Sequence, residues 1–441
     1  MRKNATRIIA FVLVVLCFVL WGVANQITIS LTPFFPRIFL HRPTDAYFIQ
    51  FAFYIGYFLL AVPAAILTWS SSYKNGMLIG LALCSLGAFL FYPAAYGGQY
   101  FYFCISFFVI AAGLSFLETS ANPYIFTIGS KQRAFFRINL AQSFNSVGWL
   151  ASLYVAHELI INNVFALSAD QRMHLDSVYY SEMAESDIQL FSSYYIWGGV
   201  IVAIVGIAMA LIRIPEEYDQ KLVYYYDEDE EKKGITTFTS VVSSLLANRR
   251  YCLGILTQFV YVGLQTIAWL YIIDYVENLL VAAEYSETQA QTTAQQMLLV
   301  SFALFTIFRF VNTFLMRRLV RPAILMTVSA AIGIAVTMFT QVLGDIWTMW
   351  VVVCVGGCLS LMYPTIYALS LKDLDIDTIK VASAGHVMVI IVGAVIPFLL
   401  QKYQLELYGV FIMLSFACIL SYSLWTIHDD NKWLSKRKIY D

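Results

Sequence analysis

The stretch YFCISFFVIAAGLSFLETSANPYIFTI, residues 102–128, decides the fold, because it places one carboxylate, Glu118, among residues that are otherwise uncharged. An α-helix needs about 20 apolar residues to span a bilayer, so this stretch is long enough to cross one. A charge near the bilayer centre costs roughly 3 kcal/mol on insertion scales, and residues of this kind usually have a function. The stretch therefore predicts a membrane-spanning helix with one functional acid.

The whole chain has the composition of a polytopic membrane protein. Hydrophobic residues make up 60% of the 441 and charged residues 12%, which is outside the range of soluble globular domains. The stretches long enough to cross a bilayer are 8–32, 47–69, 76–97, 101–128, 136–160, 190–213, 251–275, 294–316, 322–343, 347–371, 380–402 and 407–427. The sequence therefore predicts an all-α membrane protein with twelve transmembrane helices.

Basic residues are distributed unevenly along this pattern. If both termini lie in the cytoplasm, the cytoplasmic segments hold all 27 Lys and Arg residues except Arg37, Arg42, Arg172, Arg309 and Lys402. This bias follows the positive-inside rule, which orients membrane proteins. We therefore expect a multi-pass protein of the cytoplasmic (inner) membrane with both termini on the cytoplasmic side.

A charged segment near the midpoint separates the first six spans from the last six. It includes the run DEDEEKK at 227–233. Two six-helix halves joined by a central linker are typical of secondary transporters built from two repeats. We predict an N-terminal six-helix bundle at 1–214, a cytoplasmic linker at 215–250, and a C-terminal six-helix bundle with a short cytoplasmic tail at 251–441. A second polar insertion, 162–190, lies outside between the fifth and sixth spans. We interpret it as a passive outer loop, and the alternative is a cap over the outer mouth.

Polar side chains within the spans indicate a binding site. Glu118 is the one acid of 28 that lies deep in a span, so it is the candidate proton-coupling group. Amides combine donor and acceptor, as sugar hydroxyls require, and neighbouring aromatic rings can pack on the apolar face of a sugar. The candidate substrate-binding residues are Trp21, Asn25, Gln26, Glu118, Gln142, Asn145, Gln265, Trp269 and Tyr363. Interhelical hydrogen bonding explains any single amide equally well, but polar residues on several spans together favour a site.

Two other ionisable residues lie within spans. Arg309 has a depth comparable with that of Glu118, so a structural ion pair is the alternative to a proton site. His386 in the eleventh span is the more speculative second proton-coupling group, because a lone His is more often a neutral hydrogen-bonding residue. Cys354 and Cys358 have helical spacing without further ligands, so we expect no metal. We expect no cofactor other than the proton as coupling ion, and no nucleic-acid partner.

Two blocks, LETSANPY at 117–124 and RINLAQSFNS at 137–146, resemble the signature of helices 4 and 5 in a known transporter family. This is the L-fucose/glucose/galactose permease branch of the major facilitator superfamily. Further similar segments follow in the same order at 20–25, 52–58, 258–266 and 363–366. The resemblance implies the major facilitator fold of two six-helix bundles, a central sugar site and proton symport by alternating access. It also implies that Glu118 is the proton-linked glutamate of helix 4, and that Gln142 and Asn145 are substrate-site positions.

The chain departs from this family at several positions. The aspartate of the family's first helix, which also takes part in proton coupling, is Ile29 here, and a neighbouring amide is Thr28. Near the outer end of helix 7 the family's arginine is Asp274, and an apolar position in helix 11 is His386. Neither L-fucose itself as the substrate nor the family's two-carboxylate proton chemistry therefore follows from the resemblance.

These observations predict a secondary active transporter that imports a monosaccharide, which is fucose, a hexose or a related sugar, with proton symport. A proton-independent sugar facilitator is the alternative, because Ile29 replaces the acid of the first helix. A membrane sugar sensor without transport is a rival from another class, although neither 215–250 nor the tail 428–441 resembles an output domain. We do not expect an enzyme, because the sequence has no nucleophile elbow, phosphate loop or HExxH motif. We expect a monomer in the lipid bilayer, with a small-molecule sugar as its partner.

Overall fold

A computed structural model describes residues 2–32, 34–40, 46–156, 158, 163, 167, 169–212, 214, 237–318, 320–403 and 408–440. These residues are almost entirely helical and contain no β-strand. Because a helix bonds its own N–H and C=O groups, it can cross hydrocarbon without leaving them unpaired. The predicted all-α fold class is confirmed.

Twelve long helical segments of the described chain follow the order of the predicted spans. The first six are α1 (Arg2–Leu31), α2 (Ala46–Ser70), α3 (Tyr73–Phe89, continued by Phe91–Gly97), α4 (Tyr100–Thr127), α5 (Ala134–Val155) and α6 (Ser177–Leu211). The last six are α7 (Arg249–Ala282), α8 (Glu287–Arg318), α9 (Pro322–Leu343), α10 (Thr348–Val352, Cys354–Leu359 and Met362–Ser370), α11 (Ile376–Met388, Val389–Ile391 and Val392–Tyr403) and α12 (Tyr408–Tyr440). Short helices lie at Phe34–Ile38, Lys131–Arg133, Ala169–Met173 and Phe238–Ala247.

Within the described residues, 11 of these segments are long and apolar enough to cross a membrane. The helix outside that set is α5, which corresponds to the predicted span 136–160. Its length is sufficient, but Asn139, Gln142 and Asn145 lower its mean hydropathy. The polar side chains that make α5 a candidate for a binding site are therefore the same ones that weaken its membrane-span signal.

The interpretation of 162–190 as a loop is wrong for much of this segment. Ala169–Met173 is helical, and α6 begins at Ser177, well before the predicted start of the sixth span at 190. Arg172 and Asp187 form a buried ion pair of 2.7 Å, which joins the short helix to α6. A buried charge needs a partner, and Asp187 has one in Arg172, although the acidic composition of the segment resembles that of a loop.

The predicted linker at 215–250 is described only in its last part. Residues 215–236, including the charged run 227–233, lie outside the described residues. The remainder contains the helix Phe238–Ala247, which Thr237 caps at its start by accepting a hydrogen bond from the Ser240 backbone N–H at 3.3 Å. The end of the predicted linker is therefore structured.

The predicted tail at 428–441 continues α12 as a helix as far as Tyr440. Arg250, at the start of α7, donates to the carboxylates of Asp429 at 2.8 Å and Asp430 at 2.7 Å. Lys372 also pairs with Asp430 at 2.7 Å. These ion pairs hold the polar continuation of α12 against α7 and the end of α10, where hydropathy alone predicts the end of a span.

Contacts group the chain into two compact units. The first comprises Met1–Ile128, Phe144–Tyr218 and Ser383–Ala394, and the second comprises Gly129–Ser143, Asp219–Ala382 and Val395–Asp441. The domain boundaries predicted from the sequence, 1–214, 215–250 and 251–441, stay a prediction.

In the first unit, α1 and α5 cross at close range. A Cβ atom at Gly22 would collide with the carbonyl oxygen of Asn145, and one at Gly148 would collide with that of Val19. Glycine allows helix backbones in membranes to approach in this way. The crossing fixes the segment around Gly22, including the adjacent Trp21, against α5.

We expect Gly22→Ala to destabilise the protein, because the added methyl group meets a backbone carbonyl of α5. Overpacking costs about 1–3 kcal/mol, which exceeds the gain of about 1 kcal/mol that Ala has over Gly as a helix former. Gly198→Ala in α6 is the matched control, since nothing lies within 4 Å of a Cβ there. Thermal unfolding in detergent measures both variants. A midpoint for Gly22→Ala that is equal to that of the parent would contradict the close crossing.

Candidate functional site

Glu118 lies in the interior of α4 and is 1% exposed. Every residue of α4 from Ile110 to Phe126 is buried. A helix that is buried all round packs against protein on all its faces, so the carboxylate of Glu118 does not face lipid. The surroundings of Glu118 are therefore set by the helices packed on α4.

Tyr57 of α2 and Trp21 of α1 form part of these surroundings. The indole Nε1 of Trp21 donates to the Tyr57 hydroxyl at 2.9 Å, and Glu118 is close enough to Tyr57 to interact with it electrostatically. Ser115, nearly one turn before Glu118 in α4, donates its hydroxyl to the Tyr57 backbone carbonyl at 3.0 Å. We call Trp21, Tyr57, Ser115 and Glu118 the Glu118 cluster. Through Tyr57, the cluster joins Glu118, the predicted proton-coupling residue, to Trp21, a predicted substrate-binding residue.

The other predicted residues of α1 and the second half of α5 differ in their hydrogen bonds. Asn145 donates its amide to the carbonyl of Phe18 at 3.0 Å, so its N–H group serves the contact between α5 and α1. Gln26 makes one long hydrogen bond to Ser30 at 3.4 Å. The Asn25 Oδ1 atom is buried, and it has no hydrogen-bond partner within the described residues. Asn25 therefore keeps an acceptor for a ligand, whereas the Asn145 donor already bonds to protein.

Gln142 and His386 each lie in a part of a helix that groups with a different compact unit from the rest of that helix. Gln142, which is 2% exposed, belongs to the segment Gly129–Ser143 of the second unit. His386 is wholly buried and belongs to the segment Ser383–Ala394 of the first unit. The roles predicted for Gln142 in substrate binding and for His386 in proton coupling stay predictions.

In the second unit, Arg309 of α8 lies among aromatic residues. Its guanidinium carbon is 4.8 Å from the centroid of the Phe305 ring, which is cation–π geometry. Tyr261 and Tyr363 are close enough to interact with Arg309 electrostatically, and their rings are 6.2 Å apart. Trp269 packs on Phe305 with ring centroids 5.7 Å apart. We call Tyr261, Trp269, Phe305, Arg309 and Tyr363 the Arg309 cluster, which joins the predicted substrate residues Trp269 and Tyr363.

An interruption of α10 positions part of this cluster. The helix breaks just before Met362, and Pro364 explains the break, because its ring removes the N–H group that would bond to the carbonyl of Ser360. Side chains of neighbouring helices form hydrogen bonds with residues beside the break. Tyr261 donates to the carbonyl of Leu359 at 3.2 Å, and Asn312 donates to the Ser360 hydroxyl at 3.1 Å. Irregular backbone at membrane depth is tolerated where protein surrounds it, as it does here.

Gln258 of α7 is a buried amide without an internal partner. It is 0% exposed, and neither Nε2 nor Oε1 has a hydrogen-bond partner within the described residues. The same holds for the Thr365 hydroxyl in α10, a helix that packs on α7. More than about 90% of buried polar groups are hydrogen-bonded, and an unsatisfied one costs about 1–3 kcal/mol. These two side chains therefore call for a functional explanation.

Gln265 lies two turns beyond Gln258 on the same side of α7, and it is partly exposed. Its side chain makes no hydrogen bond to another residue in the part of the chain that the structure describes. Of the predicted substrate-binding amides, Gln265 is thus one whose donor and acceptor are both available to a ligand.

Several residues of the two clusters do not follow from the sequence pattern. Tyr57 is an aromatic residue in an apolar helix, where packing is the ordinary explanation. Gln258, which belongs to neither cluster, could be found from the sequence, because it lies seven residues before Gln265 and shares its helix face. Among the described residues, no group of three or more His, Cys, Asp or Glu side chains could hold a metal ion.

Comparisons with known proteins place the chain in a family. A model of the Major Facilitator Superfamily matches residues 9–390. An L-fucose-proton symporter of Haemophilus influenzae is 34% identical over 88% of this chain and 87% of its own length. A glucose/galactose transporter of Brucella abortus is 26% identical over 87% and 84%. A crystal structure of a major facilitator superfamily transporter, FucP, in the outward conformation is 31% identical, with a TM-score of 0.82 over 96% of this chain and 99% of that one. The chain belongs to the major facilitator superfamily, and the family resemblance seen in the sequence is confirmed.

We expect Gln258→Met to raise the thermal stability of the ligand-free protein, because Met has a similar volume and no amide to satisfy. Removing an unsatisfied buried polar group is worth about 1–3 kcal/mol. Thr257→Val at the adjacent position is the control, because the Thr257 hydroxyl already bonds to the carbonyl of Leu253 at 2.7 Å. Thermal unfolding without sugar is the measurement. An unchanged or lower midpoint for Gln258→Met would show that the amide is satisfied in the folded protein.

Proposed function

We propose that this protein is a secondary active transporter that imports a monosaccharide together with a proton by alternating access. The observation that carries the proposal is Glu118, an acid buried inside α4 and close to Tyr57. The relatives support both parts of it, because one is an L-fucose-proton symporter and another a glucose/galactose transporter. These relatives are transporters, and the protein is a transporter and not an enzyme.

Glu118 carries the proton in this proposal. A sugar that binds more tightly to the protonated, outward-facing form raises the protein's affinity for the proton by the same factor. Sugar and proton then move together, although α1 has Ile29 where the family has a second acid. The neighbouring Thr28 does not replace that acid, because its hydroxyl donates to the carbonyl of Ala24 at 2.8 Å. One carboxylate is sufficient for coupling as long as sugar affinity depends on its protonation.

Amides and aromatic faces hold the sugar. The hydroxyl-binding side chains are Asn25, Gln26, Gln142, Asn145, Gln265 and Tyr363. Trp21 and Trp269 supply flat apolar surfaces for the C–H face of a sugar ring, in the way that apolar pockets with a few polar groups orient small ligands. The acceptor of Asn25 supports this assignment most directly, because it is buried and has no hydrogen-bond partner within the described residues. The substrate class is fucose, a hexose or a related monosaccharide.

The proposal places the chain in the cytoplasmic membrane as a monomer, with both termini in the cytoplasm. The distribution of Lys and Arg supports this orientation, because basic residues concentrate in the segments that it places inside. The single chain contains all the residues that the proposal uses, so it requires no partner subunit.

We expect Glu118→Gln to abolish sugar accumulation driven by an inward pH gradient in sealed vesicles, because Gln cannot bind and release a proton. Exchange of labelled for unlabelled sugar at equal pH should persist, since it needs no net proton movement. The substrate is first identified by the thermal shifts that fucose, glucose, galactose, mannose and N-acetylglucosamine produce. Glu185→Gln, at an exposed acid of α6, is the control and should accumulate sugar as the parent does.

Two outcomes of that experiment would overturn parts of the proposal. If Glu118→Gln accumulates sugar like the parent, another group carries the proton. If the parent only equilibrates sugar across the vesicle membrane, and sugar addition does not alkalinise a weakly buffered suspension, the protein is a facilitator.

We expect Gln265→Leu and Asn145→Leu to separate sugar binding from packing. The Gln265 side chain makes no hydrogen bond to another described residue, so its loss should leave the ligand-free unfolding midpoint nearly unchanged and weaken sugar binding. Asn145→Leu should lower the midpoint, because it removes the hydrogen bond of 3.0 Å that connects α5 to the carbonyl of Phe18 in α1. A hydrogen bond of this kind contributes about 0.5–1.5 kcal/mol. Titrations of thermal shift with sugar measure both quantities, and equal sugar affinity in Gln265→Leu and the parent would exclude Gln265 from the site.

A further inference from the structure

A cavity of about 350 Å³ lies in the second unit, where several helices begin or end. The short helix Lys131–Arg133 leads into α5 beside it, and the end of α8 and the start of α9 complete its lining. Arg317 and Pro322 are the ends of two segments that are long and apolar enough to span a membrane, and we therefore place the cavity at one membrane face. Its volume is within the range of small-molecule sites.

The lining of this cavity is basic on one side and apolar on the other. Arg133 and Arg317 contribute guanidinium groups, and no acidic residue lines the cavity. Within the described part of the chain, neither arginine forms an ion pair. Phe135, Phe136 and Met316 supply the apolar side.

An aromatic ring restrains one of the two arginines that line the cavity. The guanidinium of Arg317 lies over the ring of Phe136, 5.4 Å from its centroid, so the aromatic face restrains the arginine. Two guanidinium groups on one cavity match the oxygens of a phosphate, which arginine binds with two parallel hydrogen bonds. The charge of the lining thus favours an anion, and its apolar side leaves room for more than the anion.

We propose that this cavity binds the headgroup of an anionic phospholipid, with the phosphate at Arg133 and Arg317 and the glycerol and first acyl carbons against Phe135, Phe136 and Met316. A lipid fits better than free phosphate for two reasons. An apolar wall offers nothing to a fully hydrated ion, and a cavity at the ends of membrane-spanning helices is within reach of lipid headgroups. Basic pockets between transmembrane helices bind anionic headgroups in this way.

The test uses the full-length protein in a neutral detergent, so it depends neither on sidedness nor on transport. Short-chain phosphatidylglycerol and short-chain phosphatidylcholine are titrated separately, and binding is read from the rise in the unfolding midpoint. We expect phosphatidylglycerol to bind more tightly. Arg133→Gln with Arg317→Gln should weaken its binding about fivefold for each arginine. A double Arg→Lys variant keeps the charge and should retain much of the affinity.

Lys131→Gln is the matched control, because it removes one positive charge from the same short helix without touching the cavity lining. It should leave phosphatidylglycerol binding within about twofold of the parent, since surface charge away from the site acts through screened solvent. If the double variant does not fold, each single Arg→Gln variant is measured, with a fivefold loss expected.

Several results would overturn the proposal. Equal midpoint shifts with the two lipids would show that charge is not recognised. An equal loss in Lys131→Gln would show a diffuse surface effect in place of a site. If inorganic phosphate or glycerol phosphate stabilises the parent as much as phosphatidylglycerol does, the ligand of the cavity is a soluble phosphate. None of these three results bears on the outcome of the transport experiments with Glu118→Gln.

Discussion

Hydrocarbon offers no hydrogen-bond partner, and the arrangement of polar groups in this protein follows from that constraint. Hydroxyls such as that of Thr257 bond to a carbonyl one turn earlier in their own helix, so they need nothing from outside. Larger polar groups bond between helices, as Trp21 does with Tyr57. Gln258 and Thr365 do neither within the described residues, and they share this with other buried groups such as the hydroxyls of Ser85 and Ser152. The amide of Gln258 leaves both a donor and an acceptor unpaired there, so it is a candidate contact for a ligand.

Hydropathy and length were sufficient to predict the order and number of the helices, because both signals are properties of single segments. Helix ends were less predictable. The charged residues of α6 and α12 resemble loop and tail in sequence, but these regions are helical, and the ion pairs Arg172–Asp187 and Arg250–Asp430 connect them to other segments. Such pairs join residues that are distant in the chain or lie on different segments, so no local pattern reveals them. The polar side chains of α5 have the opposite effect, because they lower the mean hydropathy of a segment that is a helix.

The candidate site was partly predictable for the same reason. An acid inside an apolar run is a local signal, so Glu118 could be found from the sequence. Whether an amide serves packing or a ligand depends on its neighbours in space, and Asn145 shows this, because its donor bonds to the backbone of α1. Tyr57 and the aromatic surroundings of Arg309 also depend on which helices meet. The sequence therefore supplied candidates, and the fold was needed to separate their roles.

The Glu118 cluster also limits the proton chemistry. The indole of Trp21 donates to the Tyr57 hydroxyl, so the oxygen of Tyr57 acts as an acceptor and its own proton remains to be donated. Glu118 is within electrostatic range of that hydroxyl, and an O–H donor is one of the few groups that can solvate a carboxylate away from water. Because Ile29 has no ionisable group, α1 contributes to this cluster through Trp21, a neutral donor, and not through a second acid. The neutral groups of Trp21 and Tyr57 can orient the carboxylate of Glu118, but they cannot hold an additional proton. In the proposed mechanism, Glu118 is therefore the residue of this cluster that binds and releases the proton.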